Sequence, residues 1–247
     1  MVRVGERRRL GEKVTYNCGG TLITDRHVLT AAHCLSDKDV VDVVLGDTNT
    51  RTKFDCLYPE PGYCQSHDRA CWEQWDCADE HIKRRVTAKS IHPAFNKLGY
   101  LENDVGIITL VTPVSNTDFI VPVCLPSVQS QEDRSYFVTG WGKTGTWEQE
   151  GTDSLQEVEV GLVGREECEE VWGQELLDSQ QCANGKQYKT SVCEGDSGGP
   201  MVARRAGVFE QVAVVTAGDF KCGDAKPTFF TWITPKILQW IKDEIEY

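Results

Sequence analysis

Short runs of alternating apolar and polar residues recur along this chain between turn signals. Val40–Leu45, Gly106–Leu110, Ser135–Gly140, Ser154–Val160 and Gln211–Thr216 are the clearest. A period of two places every second side chain on one face, so each run predicts a half-buried β-strand. Many such strands predict an all-β sandwich or barrel. The period changes only at the end of the chain. Ile237, Leu238, Trp240, Ile241 and Ile245 fall on one helical stripe, with Thr234 as a candidate cap and Pro235 in the first turn. A helix over 234–247 is predicted. There is no internal repeat and no low-complexity tract.

Length and charge narrow the classes. At 247 residues the chain can bury a full core. No stretch approaches the ~20 apolar residues of a membrane span, so no membrane partner is expected. A net charge of −12 argues against nucleic acid, whose binding needs clustered cations. Arg7-Arg8-Arg9 and Lys83-Arg84-Arg85 are short basic islands that read as solvated surface. Eleven cysteines point to an oxidising compartment. Four of them, Cys56, Cys64, Cys71 and Cys77, fall in one acidic stretch and allow three pairings. Two local disulfides are the favoured reading. With His67 and His81 nearby a zinc site is the alternative, although the spacings lack the usual zinc signature.

The chemistry concentrates in Cys193-Glu194-Gly195-Asp196-Ser197-Gly198-Gly199-Pro200. A serine in a glycine-rich turn has an unobstructed hydroxyl. The N–H groups of Gly195 and Ser197 can point at the oxygen of a carbonyl under attack. Such a serine needs a base and a carboxylate to orient that base. Leu29-Thr30-Ala31-Ala32-His33-Cys34 and Asn103-Asp104-Val105-Gly106-Ile107 offer both.

The order His33, Asp104, Ser197 resembles that of chymotrypsin/trypsin-like serine endopeptidases. Cys18-Gly19-Gly20-Thr21-Leu22-Ile23 and Thr139-Gly140-Trp141-Gly142 fit the same family, and the resemblance runs from about Asn17 to Tyr247. It implies one peptidase domain of two packed antiparallel β-barrels, about 1–112 and about 121–233, followed by a C-terminal helix. It implies catalysis by His33, Asp104 and Ser197, with Gly195 and Ser197 as the oxyanion hole and no required cofactor. It pairs Cys18 with Cys34, Cys168 with Cys182, and Cys193 with Cys222. Many relatives carry a further bridge at positions here held by Tyr136 and Ala203, so both halves are missing together.

The resemblance also implies regulation and specificity. Relatives are activated when cleavage creates an apolar N-terminus whose amino group pairs with the aspartate before the nucleophile, here Asp196. Met1-Val2-Arg3-Val4-Gly5 does not resemble that terminus, and no signal peptide is visible because Arg3, Arg7, Arg8 and Arg9 interrupt any apolar segment. The expectation is a zymogen-like site in a sequence lacking upstream segments of a secreted protein. The pocket floor corresponds to Ser191 and Val192, where trypsin-like members carry an aspartate. Thr216 matches the serine that supports the buried aspartate, and Gly218 the residue that pairs with substrate backbone. Thr228 replaces a common glycine and should narrow the pocket. Small or medium apolar side chains are the expected substrate residues, as for elastase-like enzymes.

Cys124 matches a cysteine that tethers the protease domain to its pro-segment; a free thiol is the alternative. Asp47 opens a loop in which some relatives bind calcium; a solvated acidic loop is the other reading. The cysteine-bearing insertion and Cys124 resemble arthropod clip-domain proteases of immune and developmental cascades. Competing readings are a non-catalytic homologue that binds partners and, more remotely, a metal-binding extracellular module.

Overall fold

The computed structural model describes residues 1–7, 11–52, 55, 80–127, 135–145, 147–148, 150–187, 190–205, 207–217, 222 and 226–246. Cys56, Cys64, His67, Cys71, Cys77 and Gly218 lie outside the described residues.

Six strands close the first barrel: β1 (Val2–Arg7), β2 (Thr15–Leu22), β3 (His27–Thr30), β4 (Asp39–Leu45), β5 (Ile82–Ile91) and β6 (Gly106–Leu110). Their order around it is β1-β2-β3-β6-β5-β4. The second barrel contains β7 (Ser135–Gly140), β8 (Gln156–Val163), β9 (Gln180–Gly185), β10 (Pro200–Arg205), β11 (Val208–Ala217) and β12 (Thr228–Trp232), ordered β10-β11-β12-β9-β8-β7. Every ladder is antiparallel. Closure leaves neither barrel with a free edge.

The alternation read from the sequence decides what each strand buries. In β7, Tyr136, Val138 and Gly140 are buried while Ser135, Phe137 and Thr139 are half-buried. Gly106–Leu110 and Ser135–Gly140 match the predicted runs, and the other three differ at their ends. Val28, Val43, Ile108 and Leu110 fill the first core. Val138, Met201, Ala213 and Phe230 belong to the second. In the β7–β10 pairing Tyr136 lies opposite Ala203, so the two positions expected from the resemblance to lack a bridge together are cross-strand neighbours.

Two α-helices are described. The C-terminal one, α2 (Pro235–Ile245), starts as predicted: the Thr234 hydroxyl accepts from the Ile237 N–H at 3.3 Å, and Pro235 occupies the first turn. Ile237 and Ile241 are buried against the core of the first barrel, with Leu238, Trp240 and Ile245 beside them. The sequence offered no comparable sign of α1 (Arg165–Trp172). Glu166, Glu167, Glu169 and Glu170 leave Cys168 as its buried residue, and Gly173 ends it at φ 65°. The Cys168–Cys182 disulfide fastens this helix to β9.

Met1-Val2-Arg3-Val4-Gly5 leads into and forms most of β1, which pairs with both β2 and β4. Residues 2–5 are barrel wall, and burial lowers the pKa of the Met1 amino group.

Candidate active site

Strand pairing brings the base and the carboxylate together. β3 runs antiparallel to β6, with Thr30 opposite Gly106. His33 follows Thr30 by three residues and Asp104 precedes Gly106 by two, so both leave the barrel at the same end. His33 occupies a 3₁₀ turn, Ala32–Cys34. The Cys18–Cys34 disulfide ties that turn to β2.

Asp104 is fully buried. One carboxylate oxygen accepts from the His33 backbone N–H at 2.8 Å, the other from Nδ1 of the ring at 2.7 Å. A carboxylate only accepts, so Nδ1 carries the proton and a neutral ring presents its lone pair at Nε2. That is the tautomer a general base requires. Nε2 lies 3.7 Å from Cys34 Sγ, a disulfide sulfur that has no proton to give.

Ser197 arrives from the other barrel, in the turn before β10. Its carbonyl accepts from Gly19 N–H of β2 at 2.8 Å, which joins the nucleophile turn to the strand that carries Cys18. Gly198 and Gly199 are stitched to Val215 of β11, Gly198 N–H to Val215 O at 2.8 Å and Val215 N–H to Gly199 O at 2.9 Å. Gly198 has φ +79°, and a Cβ there would strike Thr30 Oγ1 and Gly19 O, so only glycine lets the barrels approach. Gly195 has φ +101°. Among the described residues, neither the Gly195 and Ser197 N–H groups nor Ser197 Oγ has a protein hydrogen-bond partner. Both donors are therefore unspent, and an oxyanion hole would need such donors.

Asp196 points away from Ser197 into the second barrel. Its carboxylate accepts from Gly142 N–H at 2.8 Å and Cys193 N–H at 2.9 Å. A Cβ on Gly140 or Gly142 would collide with that carboxylate, which explains the glycines flanking Trp141. Burial pushes the Asp196 carboxyl up, opposed by the two backbone donors. No ion pair reaches it among the described residues. Gly142→Ala should displace the carboxylate and cost about 1–3 kcal/mol, as overpacking of a filled site does. The urea midpoint checks this, and an unchanged midpoint would refute the close fit.

A cavity of about 170 Å³ opens in front of Asp196, and its walls include Gly140, Gly142, Ser191, Val192 and Cys222. The predicted pocket-floor residues therefore share a space with the predicted activation aspartate. Cys193–Cys222 bridges this wall to the nucleophile loop. Thr228 is buried at the start of β12, opposite Ala183. Thr216 departs from its expected role as support for Asp104. Its hydroxyl bonds Thr231 Oγ1 at 2.8 Å inside the second barrel. The fully buried Thr231 hydroxyl needs a partner there, and among the described residues both hydrogen bonds to the Asp104 carboxylate come from His33. Sequence reading also passed over Lys143, although it follows Gly142 directly. Its ammonium meets Glu194 at 2.6 Å and its N–H donates to Glu194 O, closing a bridge beside Gly195.

Comparison with known proteins agrees with this geometry. The trypsin family model matches residues 2–57 and 76–241.

The chain belongs to the trypsin family of serine endopeptidases.

Among relatives of this trypsin-family chain, it is 34% identical over 267 residues to the Spaetzle-processing enzyme of Drosophila melanogaster, covering 100% of this chain and 63% of that protein. It is 32% identical over 246 residues to the CLIP domain-containing serine protease B10 of Anopheles gambiae, covering 95% and 63%. Among solved structures, the Drosophila Grass clip serine protease of the Toll pathway superposes with a TM-score of 0.80 at 26% identity, over 99% of this chain and 68% of that one. The chain thus spans about three-fifths of the length of these curated relatives.

Proposed function

We propose that this chain is the catalytic domain of an extracellular serine endopeptidase that acts in a proteolytic cascade. Ser197 Oγ attacks the peptide carbonyl carbon as its proton passes to His33 Nε2. The Gly195 and Ser197 N–H groups stabilise the oxyanion. The C–N bond breaks as Nε2 returns the proton to the leaving amine, and water then hydrolyses the acyl-enzyme by the same relay. The His33–Asp104 pair carries this reading, because it fixes the tautomer that the first proton transfer needs. The names of the relatives, a Spaetzle-processing enzyme and a Toll-pathway protease among them, supply the cascade. The disulfides support an extracellular setting. No described helix is long and apolar enough to cross a membrane.

Ser191, which lines the cavity in front of Asp196 where trypsin-like members carry an aspartate, supports cleavage after small or medium apolar residues. A peptide library should show that preference. Dominant cleavage after arginine would overturn it.

A zymogen-like resting state is the second reading, favoured by the unpaired Asp196. A carboxyl raised by burial favours the fold at low pH, and that contribution is lost as pH rises from the ordinary carboxylate range through the raised value. A short peptide with an apolar first residue would bring its ammonium to the Asp196 cavity. It should raise Tm more at neutral than at acid pH. Equal shifts at both would contradict the pairing. Cys124, exposed and free, is the proposed tether for a pro-segment.

Near Asp47 the described acidic groups have partners within the chain, although Asp47 Oδ1 is buried without one. Asp47 accepts from the Arg3 guanidinium, which repels a second cation. Asp55 spends its oxygens on the Thr48 and Asn49 N–H groups and the Thr52 hydroxyl.

A further inference from the structure

The segment just before Asp104 is strained. Asn96, Tyr100, Leu101 and Asn103 all hold positive φ, between 50° and 57°, although none is glycine. Each such residue costs about 1–2 kcal/mol, least for the asparagines. Strain of this kind persists only where surrounding contacts over-determine it. Apolar packing does not hold this loop, since Leu98 and Tyr100 are 69% and 67% exposed. Its internal bonds, such as Asn96 N–H to Glu102 O at 2.8 Å, shape the loop but do not place it.

Two residues of the opposite barrel do place it. The Asn103 N–H, one residue before Asp104, donates to Ser179 Oγ at 3.1 Å. Gln180 Nε2 donates to Tyr100 O at 2.6 Å. Both anchors are almost fully buried and are themselves fixed. Ser179 O accepts from Trp232 N–H at 2.7 Å, and Gln180 Oε1 accepts from Leu177 N–H at 3.0 Å. Gln180 pairs with Thr231 in the β9–β12 ladder, and β12 pairs with β11, where Val215 holds the nucleophile turn.

We propose that Ser179 and Gln180 are positioning residues, which clamp the strained loop and so hold Asp104 and His33 in register with Ser197 across the barrel seam. The inference rests on the serine-protease reading. Neither residue touches Asp104, His33 or Ser197 in any hydrogen bond described above; they act through the Asn103 and Tyr100 peptide groups.

The test uses the full chain carrying Ser179→Ala or Gln180→Met. In the active enzyme, kcat should fall about 10–100-fold with KM within about twofold, the cost of a small misplacement of reacting groups. The deshielded proton NMR signal of the His33 Nδ1–H should move or broaden in both variants, and Ser179→Thr, which keeps the hydroxyl, should restore signal and kcat. If Ser179→Ala does not fold, Gln180→Met, which keeps the side-chain length, carries the same test. A lowered Tm with kcat and the proton signal unchanged would reduce the clamp to a structural contact. A raised KM with kcat unchanged would assign the pair to substrate contact. If the wild-type chain neither labels nor turns over even with an N-terminal ammonium supplied to Asp196, the hydrolase reading fails. The NMR comparison still decides the positioning.

Discussion

Ser197→Ala should lower kcat by about six orders of magnitude while substrate binding survives, since removing the nucleophile of a triad leaves only the assistance of binding and the oxyanion hole. The structure makes the expectation specific. The Ser197 carbonyl, not its hydroxyl, holds the turn against Gly19, and Gly198 and Gly199 fasten to Val215 through backbone groups. Truncating the side chain therefore removes the chemistry and spares the architecture. The variant should keep the wild-type Tm and still bind a peptide inhibitor, measured by calorimetry. A variant with wild-type turnover would end the mechanism. Lost binding would mean that the hydroxyl also shapes the cleft.

The second large effect is expected at Asp104. Asp104→Asn preserves the shape of a fully buried side chain and changes what it can accept. Asp104 takes two hydrogen bonds from His33, one from the backbone and one from Nδ1. An amide has one oxygen. If that oxygen keeps the backbone N–H, its NH₂ group faces Nδ1, and the ring must move its proton to Nε2. The base is then blocked, and kcat should fall about 10⁴-fold, the loss the wrong tautomer brings in such a triad. Steady-state kinetics near neutral pH reads this directly. A loss under tenfold would show that Asp104 does not set the tautomer.

The proposed triad residues stand out in the sequence because the chemistry each would need is local. Ser197 lies in a glycine-rich run that reads as a turn, and Gly195 and Gly198 there do hold positive φ. His33 and Asp104 each lie beside an apolar strand, and the β3–β6 pairing makes them meet. The strand runs and the C-terminal helix were legible because burial imposes periods of two and 3.6. What stayed hidden depends on partners far apart in the chain. Thr216 turns to Thr231 rather than to Asp104, which nothing in either segment announces. Ser179 and Gln180 are two ordinary polar residues whose importance appears only when Tyr100 and Asn103 face them across the seam. Helix α1 escaped notice because a helix with four glutamates in its eight residues and one buried cysteine has no apolar stripe to read.

Asp196 links the two levels. Its place after Gly195 is a sequence fact. Its fit between Gly140 and Gly142, without an ion pair among the described residues, is a structural one. The tautomer at His33 and the unspent N–H groups at Gly195 and Ser197 are the observations on which the proposed acyl transfer rests.

Labelling by a fluorophosphonate probe, read by intact mass with Ser197→Ala as control, tests that claim most directly. One adduct per chain, lost in the Ser197→Ala variant, is the predicted result once an N-terminal ammonium is supplied to Asp196. No adduct under that condition, or an adduct that persists in the variant, would contradict the account.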